Sequence, residues 1–227
     1  RAVEYHPSLV RRPEPGGSDA APRPAAAGDP WDRPTHLVLD LDPPAAEGYG
    51  LAVRAAELVR HALAEVGLTG AVKTSGAKGL HVFVPLGQQV TGEDAAAATR
   101  AVAARAQRLD PALATTAFIR EDRGGKVYID PTRAGGATVV AVYSPRIRPG
   151  TPVSFPVPWD DLDRVTPREF TLRTVVPLIA DRDPWTDAMP APQTISADLI
   201  DEGRAIPVPR VQAMHEGRRR ARARRAE

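Results

Sequence analysis

The sequence contains no cysteine, which excludes disulfide bonds and thiolate metal sites. It also has no apolar run of about 18 residues or more, and no N-terminal segment with the charged-then-apolar pattern of a secretion signal. These absences predict a protein that is not inserted in a membrane, and they fit a reducing cytoplasm. Only 5% of the 227 residues are aromatic, so we expect a core built from Val, Leu, Ile and Ala.

Lysine is scarce as well, since Lys73, Lys78 and Lys126 are the only three and every other basic residue is arginine. The net charge of +2 arises at the C-terminal end, where residues 214–227 hold six arginines against two glutamates. Net charge therefore does not mark the rest of the chain as a nucleic-acid binder. Two interpretations of the tail stay open: a salt-dependent DNA contact through Arg218, Arg219 and Arg220, or a solubilising end.

Composition and hydrophobic period divide the chain into three regions. Residues 1–34 are predicted to be an N-terminal segment and a Pro/Gly-rich loop, with residues 1–10 docked on the core. Residues 35–184 form the predicted catalytic core. After Trp185 the pattern is lost, and residues 185–227 are interpreted as a disordered, Arg-rich tail.

Within the core, the pattern predicts an α+β fold in which helices pack on one face of a mixed or antiparallel sheet. One helix is predicted at 51–66 with Gly67 as its C-terminal cap, and Thr91 with Asp94 resembles a capping box that opens a second helix ending near Leu109. Short helical turns are expected at 159–163 and 167–170. Alternating or apolar runs predict strands at 35–42, 71–74, 80–86, 115–120, 126–130 and 137–143.

Two of these strands end in aspartate followed by proline. Side chains alternate along a strand, so Leu37, Leu39 and Leu41 share one face while Asp40 and Asp42 share the other. Asp130 ends a second strand in the same way. If the two strands are neighbours, three carboxylates converge, and such a set can hold two divalent cations for phosphoryl transfer. The alternative is that each Asp before Pro is only a turn residue.

A glycine-containing turn, Thr74-Ser75-Gly76-Ala77-Lys78-Gly79-Leu80-His81, joins two predicted strands. Its glycines allow close backbone approach, Ser75 offers a hydroxyl, and Lys78 a compact positive charge, which together suit a triphosphate. It is not a Walker loop, because the Gly-x-x-x-x-Gly-Lys-Ser/Thr spacing is absent. On these residues alone, an ordinary hairpin turn and a satisfied strand histidine at His81 remain open. Arg146 and Arg148 follow another strand and offer either bidentate phosphate contacts or a solvated strand exit.

These motifs occur in an order that resembles the polymerase domain of bacterial ligase D, in the archaeo-eukaryotic primase superfamily. The resemblance is carried by HLVLDLDPP, VKTSGAKGLHVFVPL, KVYIDPTRAGGATVVAVYSPRIRPGTPVSFPVPWDDL and REFTLRTV, over about residues 35–185, together with Glu4-Tyr5-His6-Pro7. It implies a primase-like fold and a template-directed enzyme that adds ribo- or deoxyribonucleotides at DNA ends or gaps. It further implies two Mn²⁺ or Mg²⁺ ions and NTP or dNTP substrates, at the bacterial nucleoid, with Ku and a separate ligase as partners.

The resemblance also implies roles for single residues. Asp40, Asp42 and Asp130 would be the metal ligands and catalytic residues. Ser75, Lys78 and His81 would bind the phosphates and sugar of the incoming nucleotide, as would Arg146 and His6 in their corresponding motifs.

The chain departs from that family at three points. The family domain has roughly a hundred further residues before Glu-x-His-Pro, an amount comparable to a small domain. Here they are missing, and they help bind the 5′-phosphate side of the DNA. The stretch 11–34 is longer than the usual connection, and TRAGGAT lacks the asparagine and one residue that commonly follow the third aspartate. Two alternatives therefore stay open: a non-catalytic DNA-binding repair module of the same fold, and an unrelated Asp-x-Asp phosphohydrolase.

Overall fold

In a computed structural model, the described part of the chain comprises residues 4–10, 33–45, 48–87, 90–134 and 138–208. Its strands are β1 (His36–Asp42), β2 (Ala71–Thr74), β3 (Leu80–Pro85), β4 (Ala114–Thr115) and β5 (Val127–Asp130). Its α-helices are α1 (Tyr49–Ala64), α2 (Gly92–Leu109), α3 (Leu172–Val175), α4 (Pro184–Ala188) and α5 (Ala197–Ala205). Short 3₁₀ helices occur at Arg120–Arg123, Trp159–Asp161, Pro167–Glu169 and Val176–Ile179.

The five strands form one sheet in the order β2-β3-β1-β5-β4. All neighbours are antiparallel except β4 and β5, which are parallel, so the sheet is mixed as predicted. The central strand β1 lies between β3 and β5, and this confirms that the two Asp-bearing strands are neighbours.

One face of the sheet is covered by α1 and α2. Leu37, Leu39 and Leu41 are fully buried there, against helix faces made mainly of alanine and valine. Small helical side chains let the helix axes approach the sheet closely, so a core with few aromatic residues still fills its space. The α+β assignment is therefore confirmed, with the two long helices on one face of the sheet.

The opposite face is apolar at one end and charged at the other. Val38, Phe83 and Val139 pack with Trp185 of α4, whose ring meets Phe83 edge-on at 5.2 Å between centroids. Asp40 and His81 follow on the same face, two residues along β1 and β3 respectively, because side chains on one face recur every second residue. Helix α4 packs on the apolar half of this face, and the charged half is where a functional site could lie.

Both long helices begin and end close to the predicted positions. The Thr91 hydroxyl accepts from Asp94 N at 3.1 Å, which caps α2, and Gly67 has a φ of 70° just after α1. None of the helices in the described ranges is long and apolar enough to cross a membrane.

The segment after Trp185 was predicted to be disordered, and this is wrong for residues 185–208. Helix α5 packs on α2, with its buried Leu199 and Gly203 against that helix, and Glu202 pairs with Arg105 and Arg108 of α2 at 2.7 and 3.2 Å. Only two large apolar residues lie in α5, Leu199 and Ile200, so periodicity alone did not reveal it. Residues 11–32 of the predicted loop 11–34, and residues 209–227 of the predicted tail, lie outside the described residues.

Two predicted strands are largely absent. At 115–120 only the first residue belongs to a strand, because the chain turns into the 3₁₀ helix Arg120–Arg123. At 137–143 the described residues make one bridge, between Thr138 and Ser8, and Ala141 N donates to Tyr5 O at 2.8 Å. These bonds, with Thr35 N donating to Leu9 O at 2.8 Å, show that the described residues 4–10 of the N-terminal segment dock on the core.

Candidate functional site

A row of charged side chains crosses the open end of the sheet at a single register. Asp40 of β1 is paired with His81 of β3 on one side and with Asp130 of β5 on the other. His81 is in turn paired with Lys73 of β2. Directly paired residues have Cβ atoms about 5 Å apart, so four strands each contribute one polar group to one line.

Asp40 is the centre of this row. Its Oδ1 lies 3.3 Å from His81 Nε2, and its Oδ2 lies 3.3 Å from Arg133 Nε. Burial alone would raise the pKa of Asp40, but His81, Arg133 and Lys73 together hold that pKa below its ordinary value. Asp40 is therefore an ionised carboxylate held among positive and donor groups.

The other two predicted acids have different surroundings. Asp130 is buried, and its Oδ1 accepts from Thr132 N at 2.9 Å and from Thr132 Oγ1 at 2.6 Å. Its Oδ2 faces Arg133 Nε at 3.5 Å, so Arg133 bridges Asp130 and Asp40. Asp42 lies two residues beyond Asp40, with its Oδ1 3.7 Å from Lys78 Nζ.

The three acids suit a hard divalent cation in chemistry, because each offers carboxylate oxygen. Asp40 and Asp130 direct their Oδ2 atoms at one shared guanidinium, so these two already converge. In the described part of the chain, no group of three or more Asp, Glu or His side chains is gathered closely enough to hold an ion. The assignment of Asp40, Asp42 and Asp130 as metal ligands stays a prediction.

The predicted phosphate-binding turn is a tight connection between β2 and β3. Ser75 N donates to Gly79 O at 2.9 Å, while Ser75 Oγ accepts from Ala77 N and Gly79 N, both at 3.2 Å. A Cβ on Gly79 would lie 2.1 Å from Leu41 O, so only glycine lets the turn press against β1. Lys78 Nζ donates to Pro43 O, which holds the turn beside the end of β1.

Arg146 joins this turn to the N-terminal segment. Its Nη1 donates to Ser75 O at 2.5 Å, and its Nε lies 3.2 Å from Glu4 Oε1. Glu4 also accepts from Ile147 N at 2.8 Å; this backbone bond, followed by contacts with His6 and Arg146, lowers the pKa of Glu4 to about 2. His6 itself is partly exposed and contacts Glu4 at 3.1 Å.

These elements enclose a cleft of about 710 Å³, which falls in the usual range for small-molecule sites. Arg148 and Arg168 add positive charge to its wall. Neither Asp130 nor His6 lines the cleft: Asp130 is paired with Asp40, and His6 is linked through Glu4 to Arg146, which does line it. Six of the predicted site residues line it: Asp40, Asp42, Ser75, Lys78, His81 and Arg146.

Sequence reasoning missed several charged neighbours of this site. Lys73 and Arg133 are assigned no role from sequence, yet each contacts a member of the charged row. A smaller basic pocket of about 300 Å³ adjoins Asp42 and Lys78, and it includes Arg120, Arg123 and Lys126. Its signal in the sequence is the segment REDRGGK, whose first residue ends the predicted strand 115–120 and whose last residue begins the predicted strand 126–130. The tail residues Arg218, Arg219 and Arg220 lie outside the described ranges.

The chain is similar to known proteins in sequence and in structure. Residues 1–185 match the family model described as LigD, primase-polymerase domain. The chain is 37% identical over 183 residues to the multifunctional non-homologous end joining DNA repair protein LigD of Mycobacterium tuberculosis, covering 79% of this chain and 23% of that protein. It is 36% identical over 173 residues to the multifunctional non-homologous end joining protein LigD of Pseudomonas aeruginosa, covering 74% and 21%.

A solved structure shares the fold as well. The polymerase domain from Mycobacterium tuberculosis ligase D in complex with DNA matches with a TM-score of 0.67 and 33% sequence identity. The match covers 82% of this chain and 64% of that one. The chain thus spans about a quarter of the length of these curated relatives, and less than two thirds of the solved polymerase domain.

Proposed function

Because the chain belongs to the LigD primase-polymerase domain family, we propose that it is a nucleotidyltransferase that extends DNA at ends or gaps during non-homologous end joining. Extension would be template-directed, with ribo- or deoxyribonucleoside triphosphates as substrates. The observation that carries the proposal is the meeting of opposite charges at one cleft. Asp40 and Asp42 line the same cleft of about 710 Å³ as Ser75, Lys78, His81 and Arg146.

In this proposal the positive wall of the cleft binds the triphosphate. The charged ends of Lys78 and Arg146 each donate to a backbone carbonyl, Lys78 Nζ to Pro43 O and Arg146 Nη1 to Ser75 O, so their charge is positioned before a ligand arrives. Arg148 and Arg168 extend the same wall. Preorganised cations stabilise the charge that develops on the phosphates during transfer, at no cost of rearrangement.

The acids would bind metal ions, whereas the positive wall binds the triphosphate. Asp40, Asp42 and Asp130 are proposed as the ligands of two Mn²⁺ or Mg²⁺ ions. Such ions, when bound, activate a primer hydroxyl and neutralise the triphosphate and the leaving pyrophosphate. Asp130 keeps its Oδ1 on Thr132, so its Oδ2 is the oxygen available to an ion.

DNA is the proposed second substrate. The basic pocket of Arg120, Arg123 and Lys126 adjoins the acidic end of β1, where a phosphate backbone could bind. The tail residues Arg218, Arg219 and Arg220 would add affinity that does not depend on sequence and falls with salt. Such an enzyme would act at the bacterial nucleoid, with Ku recruiting it to DNA ends and a separate ligase sealing the product.

Primer extension tests the proposal directly. The substrate is a gapped, 5′-phosphorylated DNA with Mn²⁺ and either NTPs or dNTPs. We expect the wild type to extend the primer and Asp40→Asn and Asp42→Asn each to slow extension on the order of 100-fold or more, because an amide removes a charge that the reaction uses. Asp163→Asn changes an exposed acid outside the cleft and serves as the matched control, with unchanged extension expected.

Extension that survives both Asp40→Asn and Asp42→Asn would overturn the assignment of these acids. Binding of the gapped DNA without any extension by the wild type would favour the second candidate, a non-catalytic repair module of the same fold. That candidate is supported by the pairing of Asp42 with Lys78 and of Asp40 and Asp130 with Arg133, which leaves the acids compensated within the protein.

A further inference from the structure

Lys73 on β2 is the largest fully buried side chain in the described part of the chain, with 0% of its surface exposed. Lysine is almost never buried completely unless partners satisfy its donors. Here Nζ lies 2.9 Å from His81 Nδ1 and 2.6 Å from Ser154 Oγ, and 5.4 Å from the centre of the Phe83 ring. All of these partners are themselves buried, so Lys73 has no direct contact with the cleft.

The hydrogen-bond partners of Ser154, Lys73, His81 and Asp40 show which atoms carry the protons between them. Ser154 Oγ donates to the Thr74 carbonyl at 2.6 Å, so its single proton is used and the oxygen must accept from Lys73. At the other end, Asp40 is an ionised carboxylate that can only accept, so His81 Nε2 carries the proton that faces it.

A neutral imidazole with its proton on Nε2 has a bare Nδ1. That nitrogen needs a donor in a buried site, and Lys73 is the group within hydrogen-bond distance. Burial lowers the pKa of Lys73 to about 7, but both the ammonium and the amine form retain enough N–H groups to donate to His81 and to Ser154. Lys73 therefore donates to His81 Nδ1 and to Ser154 Oγ in both of its protonation states.

We infer that Lys73 is a positioning residue for His81: anchored by Ser154, it donates to Nδ1 and thereby fixes the ring with its Nε2 proton directed at Asp40 and the cleft. The Ser154 anchor is itself built in, because that hydroxyl bridges Lys73 and the backbone of Thr74 at the base of the 75–79 turn. The connection runs from the turn that bears Ser75 and Lys78, through Ser154 and Lys73, to the centre of the charged row.

The consequence for binding rests on the proposed function. His81 lines the cleft, and its fixed Nε2 proton is the donor that a phosphate or sugar oxygen of a bound nucleotide would share with Asp40 Oδ1, 3.3 Å from Nε2. A ring free to turn over would instead present a bare nitrogen for part of the time. Lys73 thus acts on the substrate only through His81.

The test measures the ¹⁵N shifts of the His81 ring by long-range proton–nitrogen correlation at neutral pH. The chain has five histidines, and the spectrum of His81→Gln identifies the resonances of His81 by their loss. The variants are Lys73→Met, which keeps the length of the side chain without its donors, and Ser154→Ala, which removes only the anchor. Thr99→Val is the matched control, since it removes a buried hydroxyl on α2, away from the site.

We expect the wild type to show one tautomer, protonated on Nε2, with Nδ1 shifted as a hydrogen-bond acceptor. In Lys73→Met, Nδ1 should move to the position of a free imidazole nitrogen, or the two tautomers should exchange. Ser154→Ala should shift Nδ1 in the same direction by less, and Thr99→Val should match the wild type. An unchanged Nδ1 in Lys73→Met, or a wild-type ring protonated on Nδ1, overturns the inference. If Lys73→Met does not fold, Ser154→Ala decides, and an unchanged spectrum overturns it.

A titration with ATP and Mn²⁺ separates this inference from the proposed function. Loss of about tenfold in ATP affinity in Lys73→Met is expected, which corresponds to one hydrogen bond to a charged group. If the wild type binds no ATP while Nδ1 still depends on Lys73, the proposed function fails and the positioning role stands.

Discussion

Arg133 lies between two carboxylates, Asp40 and Asp130, that are proposed as metal ligands. Its Nε lies 3.3 Å from Asp40 Oδ2 and 3.5 Å from Asp130 Oδ2, which are the two oxygens with no other strong donor. Two acids paired across neighbouring strands repel each other, and a shared guanidinium removes most of that repulsion. The protein can therefore fold with this pair of acids before any metal ion binds.

Replacement of Arg133 by alanine should strengthen binding of Mn²⁺ in the absence of nucleotide. The guanidinium competes with the ion for the same oxygens, and it is partly exposed, so we expect an effect of about tenfold, or about 1.4 kcal/mol. Electron paramagnetic resonance of free Mn²⁺ during titration measures the affinity. Arg164→Ala, which removes an exposed arginine paired with Asp161, should leave it unchanged. Equal affinities for wild type and Arg133→Ala would show that Arg133 does not occupy the ion's position.

At the scale of single residues, the sequence predicts which side chains share a face of a strand, but not which side chains contact each other. Asp40, Asp42 and Asp130 were found because strand alternation separates them from the leucines of the core. Arg133 and Lys73 were missed, since their partners are set by the pairing of strands and by the turn after β5. The partners of these two residues cannot be read from the sequence until the register of the strands is known.

The contact between α5 and α2 depends on one glycine. A Cβ on Gly203 would lie 1.8 Å from Ala97 O, and Arg100 Nε donates to Gly203 O at 3.3 Å. The two backbones therefore touch at this point, and ion pairs from Glu202 and Arg204 flank the contact. Helix α5 is attached by close approach and charge more than by a wide apolar face.

Gly203→Ala should accordingly destabilise the fold by about 1–3 kcal/mol, the usual range for a methyl group forced into a packed contact. Gly50→Ala is the matched control, because Gly50 lies in the first turn of α1 with no atom within 4 Å of an added Cβ. There alanine should stabilise by about 0.5–1 kcal/mol through helix propensity. Urea denaturation monitored by circular dichroism measures both. Equal midpoints for Gly203→Ala and wild type would contradict the packing argument.

At the scale of elements, prediction succeeded where a period was long and caps were present. Helices α1 and α2 lie close to their predicted bounds for that reason, and strands β1, β2, β3 and β5 do so because prolines or the glycine turn at 75–79 end them. It failed at 115–120, where the chain leaves β4 after two residues, and at 137–143, where a single bridge to Ser8 stands in place of a strand. Both failures involve short pairings with distant segments, which leave little trace in local alternation.

The whole molecule should become more stable as pH rises from about 7 to about 10, because of Lys73. Its pKa falls from 10.5 to about 7 on folding, with burial as the main cause. Between those values the unfolded chain holds a proton that the folded protein has released, so the free energy of unfolding increases with pH. The slope cannot exceed about 1.4 kcal/mol per pH unit for one group.

Urea unfolding at several pH values, for wild type and Lys73→Met, measures this dependence. The rise should be present in the wild type and absent from Lys73→Met. The series ends at about pH 10, since burial raises the pKa values of Tyr49, Tyr128 and Tyr143 above the ordinary value for tyrosine. Above that pH those tyrosines act in the opposite direction. The same slope in both proteins would place the titration on another group.

The line of Lys73, His81, Asp40 and Asp130 also ties the assembly of the sheet to the chemistry of the site. Each side chain comes from a different strand, and the polar and apolar faces alternate along every one of them. A slip of one residue in any pairing would turn that strand's polar group into the leucine and valine layer beneath, exposing a hydrophobic side chain in its place. A mispaired sheet would thus lose the site and the core together, so intact ligand binding would itself report that all four strands had found their correct alignment.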